Sequence, residues 1–189
     1  MSNCYVIYTG VGRETAAERL IEGAVPPELY VRVFHSCRHM RKKIAGKWAD
    51  IYEWLIPGYI FVLTDDIRGF SAAIRKLPRL LKLLGRNFDN GEPSFTPLTD
   101  EEVAWLSSVI GERWFSAGDN DISDGQAVAE LSQIDFDEND NIIVLSGPLM
   151  NLSGKVRKIN LHRREAEVEI VFMGVPQTVR LGVEIMTKK

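Results

Sequence analysis

A group of cationic side chains near the end of the chain has the residue types needed to bind a polyanion. Its members fall within ten residues around one predicted turn, with Glu165 as the one acid beside them: Lys155, Arg157, Lys158, His162, Arg163 and Arg164. Proteins bind structured RNA largely through its phosphates and 2′-hydroxyls, because its major groove is too narrow for side chains. The group offers no aromatic platform, which argues against a single-strand reader. The alternative interpretation is a merely soluble turn.

A second basic group lies in the segment 38–55, which the pattern predicts to be a β-hairpin that turns at Ala45-Gly46-Lys47. Its cations are Arg38, Arg41, Lys42, Lys43 and Lys47. They are candidates for contacting a DNA backbone. Charges on an edge strand also discourage aggregation, and that explanation fits the same residues equally well.

Other kinds of site lack the residues that they need. His35 and His39 stand four apart, but no carboxylate or thiol pattern completes a metal site, so we expect no metal. Cys4 and Cys37 are too few for a disulfide scaffold, and we expect both to be buried or idle thiols. The sequence contains no Gly-rich phosphate loop and no nucleophile elbow. We therefore predict a protein that is not an enzyme and that uses no cofactor.

Charge is segregated along the 189 residues, of which 45% are hydrophobic. Lys and Arg outnumber Asp and Glu by 14 to 8 in residues 1–86 and by 8 to 5 in residues 139–189, whereas residues 87–138 carry 1 against 13. A polyanion would be steered to either end and repelled from the middle. No apolar run approaches the roughly 20 residues that cross a bilayer, and no signal-peptide pattern is present, so we expect a cytoplasmic protein.

The first part of the chain predicts a mixed α+β domain. Strands are expected at Cys4–Thr9, Leu29–Phe34 and Tyr59–Thr64, with a helix from Glu14 to Glu22. Phe70, Ile74 and Leu77 fall on one face of a second helix, and Leu80 to Leu84 is a candidate closing strand. Thr99 and Glu102 have the spacing of a capping box, which predicts a third helix from Asp100 to Ile110.

The last part of the chain predicts a small all-β domain. Short strands with period-2 alternation are expected at 142–145, 156–159, 166–172 and 178–181. In Ala166–Phe172 the apolar residues share one face and the glutamates share the other. Several short strands in about 60 residues suggest a closed barrel, which hides sheet edges. We predict an N-terminal domain over 1–113, an acidic linker over 114–124 and a β-barrel over 125–189.

Two runs of residues resemble the NusG family. The segment Ile142–Met186 is similar to a KOW domain, through Ser146-Gly147-Pro148-Leu149, Gly154 and Phe172-Met173-Gly174. The N-terminal part resembles the family's NGN domain in residue order, through Tyr5-Val6-Ile7-Tyr8, Pro57-Gly58-Tyr59-Ile60-Phe61-Val62 and Pro78-Arg79 to Gly85. The resemblance implies an antiparallel sheet flanked by helices, followed by a KOW barrel.

The resemblance also implies a partner and a surface for it. An NGN domain docks on the clamp helices of RNA polymerase through an apolar patch on its sheet. The candidate contacts are Tyr8, Tyr59, Phe61 and Arg79. Tyr59 and Phe61 are two apart and share one face of their strand. Periodicity alone favours ordinary core for these aromatics, and the resemblance reverses that preference for the tyrosines more than for Phe61.

The expected function is that of a monomeric transcription elongation and antitermination factor. The run from Lys155 to Arg164 and the ending Gly182-Val183-Glu184-Ile185-Met186 resemble the LoaP-type antiterminators, specialised members of the family. This implies that the KOW domain holds a hairpin in the nascent RNA, while the basic hairpin arm contacts non-template DNA. The alternative is a KOW domain that recruits a protein partner such as a ribosomal protein.

Overall fold

The structure is a computed structural model that describes residues 2–77, 81–89, 92–116 and 126–186. It divides into two compact units. The first comprises Met1–His35, Ile56–Val103 and Glu112–Gln126, and the second comprises Ser36–Leu55, Ala104–Gly111 and Ala127–Lys189. The second unit thus includes the basic hairpin together with the C-terminal strands. The predicted domain and linker boundaries stay predictions, and most of the predicted linker lies outside the described residues.

The elements alternate between strands and short helices. The strands are β1 Asn3–Tyr8, β2 Arg32–Phe34, β3 Ser36–Ile44, β4 Lys47–Trp54, β5 Tyr59–Thr64, β6 Lys82–Leu83, β7 Arg86–Asp89, β8 Glu92–Phe95, β9 Ala127–Ala129, β10 Ser132–Phe136, β11 Ile142–Ser146, β12 Val156–Asn160, β13 Glu165–Phe172 and β14 Val175–Ile185. The α-helices are α1 Glu14–Ala24, α2 Ile67–Ile74 and α3 Asp100–Ile110. Segments of 3-10 helix span Pro27–Leu29, Glu112–Phe115 and Pro148–Lys155.

The first unit is built on a four-stranded sheet in the order β2-β5-β1-β6. The central strands β1 and β5 are antiparallel and almost wholly buried, as their apolar composition requires. α1 buries Ile21 against this sheet and α2 buries Phe70 and Ile74. Asp66 caps α2 by accepting a hydrogen bond from the Gly69 N–H at 2.8 Å. The three predicted strands and the first two predicted helices are confirmed within a few residues of their expected ends.

The predicted capping box at the start of α3 is also confirmed. The Glu102 N–H donates to the Thr99 hydroxyl at 3.2 Å, and the Thr99 N–H donates to the Glu102 carboxylate at 2.9 Å. Two N–H groups that have no partner inside the helix are thereby satisfied. The acidic first turn at Asp100, Glu101 and Glu102 needs no functional explanation, because carboxylates favour a helix N-terminus.

The second unit contains the hairpin β3–β4 and a five-stranded sheet. Ala45 and Gly46 join the hairpin with φ angles of 49° and 83°, the left-handed values of a two-residue turn that matches strand twist. β3 also pairs in parallel with β9. The hairpin and its turn were predicted from the sequence, and the pairing with β9 was not.

The C-terminal sheet has the order β11-β10-β14-β13-β12, with β10 and β14 parallel. In β13 the residues Val168, Ile170 and Phe172 are buried and the intervening glutamates are not, as predicted. The sheet is a curled half-barrel and not the closed barrel that we expected, because β11 and β12 are not paired neighbours in the described sheet. The 3-10 segment Pro148–Lys155 contacts both end strands and buries Leu149 and Leu152. The α+β fold class is confirmed.

The cysteines and the lengths of the helices were also subjects of prediction. Cys4 and Cys37 are free thiols that are buried as predicted, and burial raises the pKa of the Cys4 thiol. Over the described ranges, no helix is long and apolar enough to cross a membrane.

Candidate functional site

A pair of tyrosines, one exposed and one half-buried, lies at the end of the two central strands of the first unit. Tyr8 and Tyr59 stand directly opposite each other in the register of β1 and β5, and their ring centroids are 5.4 Å apart. Tyr8 is 42% exposed, although the four residues before it in β1 and the five residues after Tyr59 in β5 are buried. Val11, three residues further along the chain, is 69% exposed. We call Tyr8, Val11 and Tyr59 the aromatic patch.

The Pro57-Gly58 turn packs against the aromatic patch through Gly58. Gly58 has a φ of 89°, and a Cβ added to it would lie 3.2 Å from the Tyr8 ring and 3.4 Å from the Val11 backbone nitrogen. The buried carboxylate of Glu14 accepts a hydrogen bond from the Gly58 N–H at 2.6 Å. The Thr9 N–H donates to the Gly58 carbonyl at 2.8 Å. Two hydrogen bonds therefore fix the turn, and the Tyr8 ring packs against a residue without a side chain.

Phe61 does not belong to the exposed patch that we expected. Its side chain is fully buried and stacks on Phe34, with ring centroids 5.3 Å apart. Trp114 and Phe115 pack on Phe34 in turn. Sharing a strand face with Tyr59 was not enough to expose Phe61, because Phe34 from the neighbouring strand β2 stacks on its ring. The predicted contact Arg79 lies outside the described residues.

Most of the cations in the basic hairpin already have acidic partners in the second unit. Arg38 pairs with Glu53 at 2.9 Å, and Lys42 pairs with the same carboxylate. These two cations hold the pKa of Glu53 below its usual range, with the Lys42 hydrogen bond as the largest cause. Arg41 lies 3.4 Å from Asp50 and also contacts Glu184.

Two of the five hairpin cations therefore remain as candidates for a nucleic acid. Lys43 and Lys47 are exposed, and neither forms an ion pair with another residue that the structure describes. Both lie at the tip of the hairpin, beside the Ala45-Gly46 turn. Lys43 and Lys47 are thus the members of the predicted DNA-contacting group without an acidic partner in the described ranges, and the DNA contact of all five residues stays a prediction.

The two histidines contact carboxylates on different elements. His35 contacts Glu18 through Nδ1. His39 lies between two carboxylates, with Glu130 3.0 Å from Nδ1 and Asp50 3.0 Å from Nε2, and its ring stacks on Tyr52. Among the described residues, no group of three or more His, Cys, Asp or Glu is placed to hold a metal ion.

The C-terminal cations divide into paired and unpaired members. Arg157 is exposed and pairs with Glu169 at 2.6 Å, an interaction that raises the pKa of Arg157 and lowers that of Glu169. Lys158 stands opposite Glu167, a carboxylate that Arg180 approaches to 3.6 Å. Arg157 is thus compensated by an acid on β13, whereas the acid opposite Lys158 lies close to Arg180.

The turn between β12 and β13 carries the less compensated part of the group. His162 and Arg163 are exposed, and Arg163 forms only a long ion pair, 3.8 Å from Glu165. The Asn160 side chain accepts a hydrogen bond from the Arg163 N–H at 3.0 Å, which fixes the turn. Lys155, at the other end of β12, is exposed as well. We call His162, Arg163 and Arg164 the β12–β13 turn.

Arg164 has a contact that sequence reasoning missed. Its guanidinium carbon lies 4.3 Å from the centre of the Trp48 ring, and its backbone has a left-handed φ of 54°. Trp48 is half-buried in β4, next to the hairpin tip. The only signal in the sequence was a tryptophan beside Gly46-Lys47 in an otherwise charged hairpin. Nothing in the sequence placed it against residues more than a hundred positions later.

Comparisons with known proteins agree with this architecture. The family model described as transcription termination factor nusG matches residues 2–107. The transcription termination/antitermination protein NusG of Thermus thermophilus is 24% identical over 194 residues, covering 97% of each chain. The NusG of Halalkalibacterium halodurans is 25% identical over 186 residues, covering 95% of this chain and 94% of that protein.

A solved structure shows the same fold. The structure of NusG from Thermotoga maritima aligns with a TM-score of 0.51 and 20% identity, and covers 96% of this chain and 94% of that one. The family model spans more than half of the 189 residues. Members of this family are transcription factors and not enzymes, as we predicted. The chain belongs to the NusG family of transcription termination and antitermination factors.

Proposed function

We propose that the chain is an elongation and antitermination factor that holds RNA polymerase through its first unit and a structured RNA through its C-terminal cations. Family membership supports the general role in termination or antitermination. The resemblance to NGN domains supports the clamp helices of the polymerase as the docking site. Such a factor acts in the cytoplasm as a monomer, and it disfavours pausing and termination while the polymerase clamp is held closed.

The exposed Tyr8 beside Tyr59 is the observation that carries the polymerase half of this proposal. Tyrosine buries a large apolar area in an interface while its hydroxyl stays hydrated, and aromatic residues are enriched at such contacts. Tyr8 would be expected to turn inward with the rest of β1 if it served only the core. Its 42% exposure, with Val11 beside it, leaves an apolar surface of the kind that a helical partner covers.

The basic residues of the β12–β13 turn support the proposed binding of a structured RNA. Each cation that contacts a phosphate releases condensed counterions, so the number of such cations sets how steeply the logarithm of the affinity falls with the logarithm of the salt concentration. His162 and Arg163 project from a fixed turn, and Lys155 and Lys158 add positive charge along β12. This basic run supports a specialised role like that of the LoaP-type antiterminators, in which the KOW domain takes an RNA hairpin.

A protein partner for the C-terminal sheet is the second candidate, and one observation favours it. Ile143 and Leu145 on the end strand β11 are 40% and 45% exposed. An exposed apolar end strand offers both side chains and unpaired backbone groups to another chain. A ribosomal protein would be one such partner. Replacing Leu145 with Lys would block that docking, whereas binding to RNA through the β12–β13 turn would persist.

Binding of the full-length protein to purified RNA polymerase tests the proposal. Tyr8→Ala should weaken binding by roughly tenfold or more, because truncation of a buried aromatic anchor typically costs at least 1–2 kcal/mol. Val175→Ala is the matched control, since Val175 is 55% exposed on β14, away from the aromatic patch in sequence and in the other unit. Equal polymerase affinity of wild type and Tyr8→Ala would refute the proposed docking surface.

A further inference from the structure

The hairpin tip and the β12–β13 turn meet within the second unit. The Arg164 guanidinium covers the Trp48 ring at 4.3 Å, although the two residues are 116 positions apart. The hairpin is also held close to the C-terminal sheet, because a Cβ at Gly182 in β14 would collide with the His39 carbonyl oxygen. Arg38 donates a hydrogen bond to the Arg180 carbonyl at 3.1 Å. Two basic segments that look separate in the sequence are therefore neighbours.

The cations left without acidic partners gather around this contact. Lys43 is directly opposite Trp48 in the register of the hairpin, and residues opposite each other in an antiparallel pair project from the same face. Lys47 precedes Trp48, and Arg163 precedes Arg164. Lys43, Lys47 and His162 form no ion pair with any residue in the described ranges. Charge repulsion among the lysine and arginine side chains is expected to be relieved when a polyanion binds.

Stacking on Trp48 leaves the Arg164 donors open. A guanidinium that lies over an aromatic ring uses its flat face, while its five N–H groups stay in its own plane. Those N–H groups match the spacing of two phosphate oxygens. Among the described residues, no side-chain hydrogen bond or ion pair engages the Arg164 guanidinium, although the Arg164 carbonyl accepts a hydrogen bond from the Val183 N–H at 3.0 Å. Trp48 thus holds the side chain in one orientation without occupying the atoms that would contact phosphate.

We propose that the hairpin tip and the β12–β13 turn form one RNA-binding surface, in which Trp48 is a positioning residue for Arg164. The surface consists of Lys43, Lys47, Trp48, His162, Arg163 and Arg164. Its ligand is the phosphate backbone of a structured RNA, and the inference therefore rests on the RNA half of the proposed function. It assigns Lys43 and Lys47 to RNA and extends the site beyond the C-terminal sheet.

Salt-dependent binding of the full-length protein to a stem-loop RNA of one helical turn tests the extent of the surface. The double variant Lys43→Ala/Lys47→Ala should lower the slope of log affinity against log salt by roughly 2 at most, because each lost phosphate contact removes about one counterion. The charge-matched control is Arg75→Ala/Lys76→Ala at the end of α2, where both residues are exposed and belong to the first unit. That control should keep the wild-type slope.

A double-mutant cycle tests the role of Trp48. Trp48→Leu and Arg164→Lys should each weaken RNA binding by about fivefold, because each removes the stacked arrangement. The double variant should be little weaker than either single variant, since the two changes abolish one shared interaction. Trp48→Phe, which keeps a ring, should restore most of the affinity, and circular dichroism melting checks that each variant is folded. Additive losses, or no rescue by Phe, would overturn the positioning role.

The results of these experiments distinguish the composite RNA-binding surface from the more general proposal that the protein binds RNA. Wild-type protein that does not bind the stem-loop would refute the RNA half of the proposed function. If the wild type binds and Arg163→Ala weakens binding, but Lys43→Ala/Lys47→Ala keeps both affinity and salt slope, the RNA function stands and the composite surface is wrong. Loss of affinity in both sets of variants supports the composite surface.

Discussion

The buried carboxylate of Glu14 holds the backbone of Gly58: the Gly58 N–H donates to Oε1 of Glu14 at 2.6 Å. Glu14 is the first residue of α1, and Gly58 begins the approach to β5. The bond therefore ties a helix to the turn on which the aromatic patch rests. This hydrogen bond explains why Glu14 is fully buried. Its position at a helix N-terminus would favour a carboxylate there but would not require burial.

Glu14→Ala should destabilise the first unit by about 1–3 kcal/mol, because a buried N–H loses its partner. Glu14→Gln keeps an oxygen acceptor at the same position and should retain more of the stability. Thermal melting of the three proteins, followed by circular dichroism, measures the difference. If Glu14→Ala melts with the wild type, the bond to Gly58 contributes nothing measurable.

Gly58→Ala should destabilise the protein by at least about 1–2 kcal/mol, because its left-handed φ is strained for any residue with a Cβ. The added methyl group would also press on the Tyr8 ring and reduce polymerase binding. Gly23→Ala in α1 is the matched control: no atom lies within 4 Å of its added Cβ. That change should stabilise the helix by roughly 0.5–1 kcal/mol. Opposite signs are expected in melting experiments, and equal signs would contradict the geometry.

Low pH should destabilise the β3–β4 hairpin, because protonation of Glu53 removes its ion pairs with Arg38 and Lys42. Lys42 and Arg38 lower the pKa of this carboxyl in the folded protein, so the stabilisation is fully present above the ordinary pKa of 4.5. It is lost as the pH falls through the lower pKa of the folded state. Glu53→Gln should cost about 1 kcal/mol at neutral pH, the upper range for exposed ion pairs. The difference in melting temperature from wild type should shrink below pH 4.5, and a difference that is constant with pH would argue against the ion pairs.

Arg163 should matter more for RNA binding than Arg157, although both are exposed. Arg157 is paired with Glu169 at 2.6 Å, and its release costs that interaction before a phosphate can replace it. The nearest acid to Arg163 is 3.8 Å away. Arg163→Gln is therefore expected to lower the salt slope of RNA binding by roughly 1, and Arg157→Gln by less. Equal slopes for the two variants would show that the ion pair does not discriminate between them.

Local patterns in the sequence predicted local structure well. Thr99 and Glu102 form the capping box that their spacing indicated, because all its partners lie within one helical turn. Ala45-Gly46 makes the expected hairpin turn for the same reason. Val168, Ile170 and Phe172 alternate as predicted, since a half-buried strand imposes period 2 on its own residues.

Contacts between residues far apart in the chain could not be predicted from the sequence. Phe61 lies on the same face of β5 as Tyr59, and its burial involves stacking on Phe34, a residue of another strand that packs in turn on Phe115. Arg41 and Arg157 count as free positive charges in a sequence, and their acidic partners Glu184 and Glu169 emerge only from the sheet arrangement. The Trp48–Arg164 contact depends on the same tertiary geometry.

Transcription in vitro across an intrinsic terminator, with the cognate RNA polymerase and the RNA stem-loop encoded upstream, tests the central claim most directly. The account predicts that the full-length protein increases readthrough, that Tyr8→Ala abolishes the effect at every template, and that Arg163→Ala reduces it only when the stem-loop is present. Readthrough that saturating wild-type protein leaves unchanged, or that Tyr8→Ala raises as much as the wild type does, would contradict it.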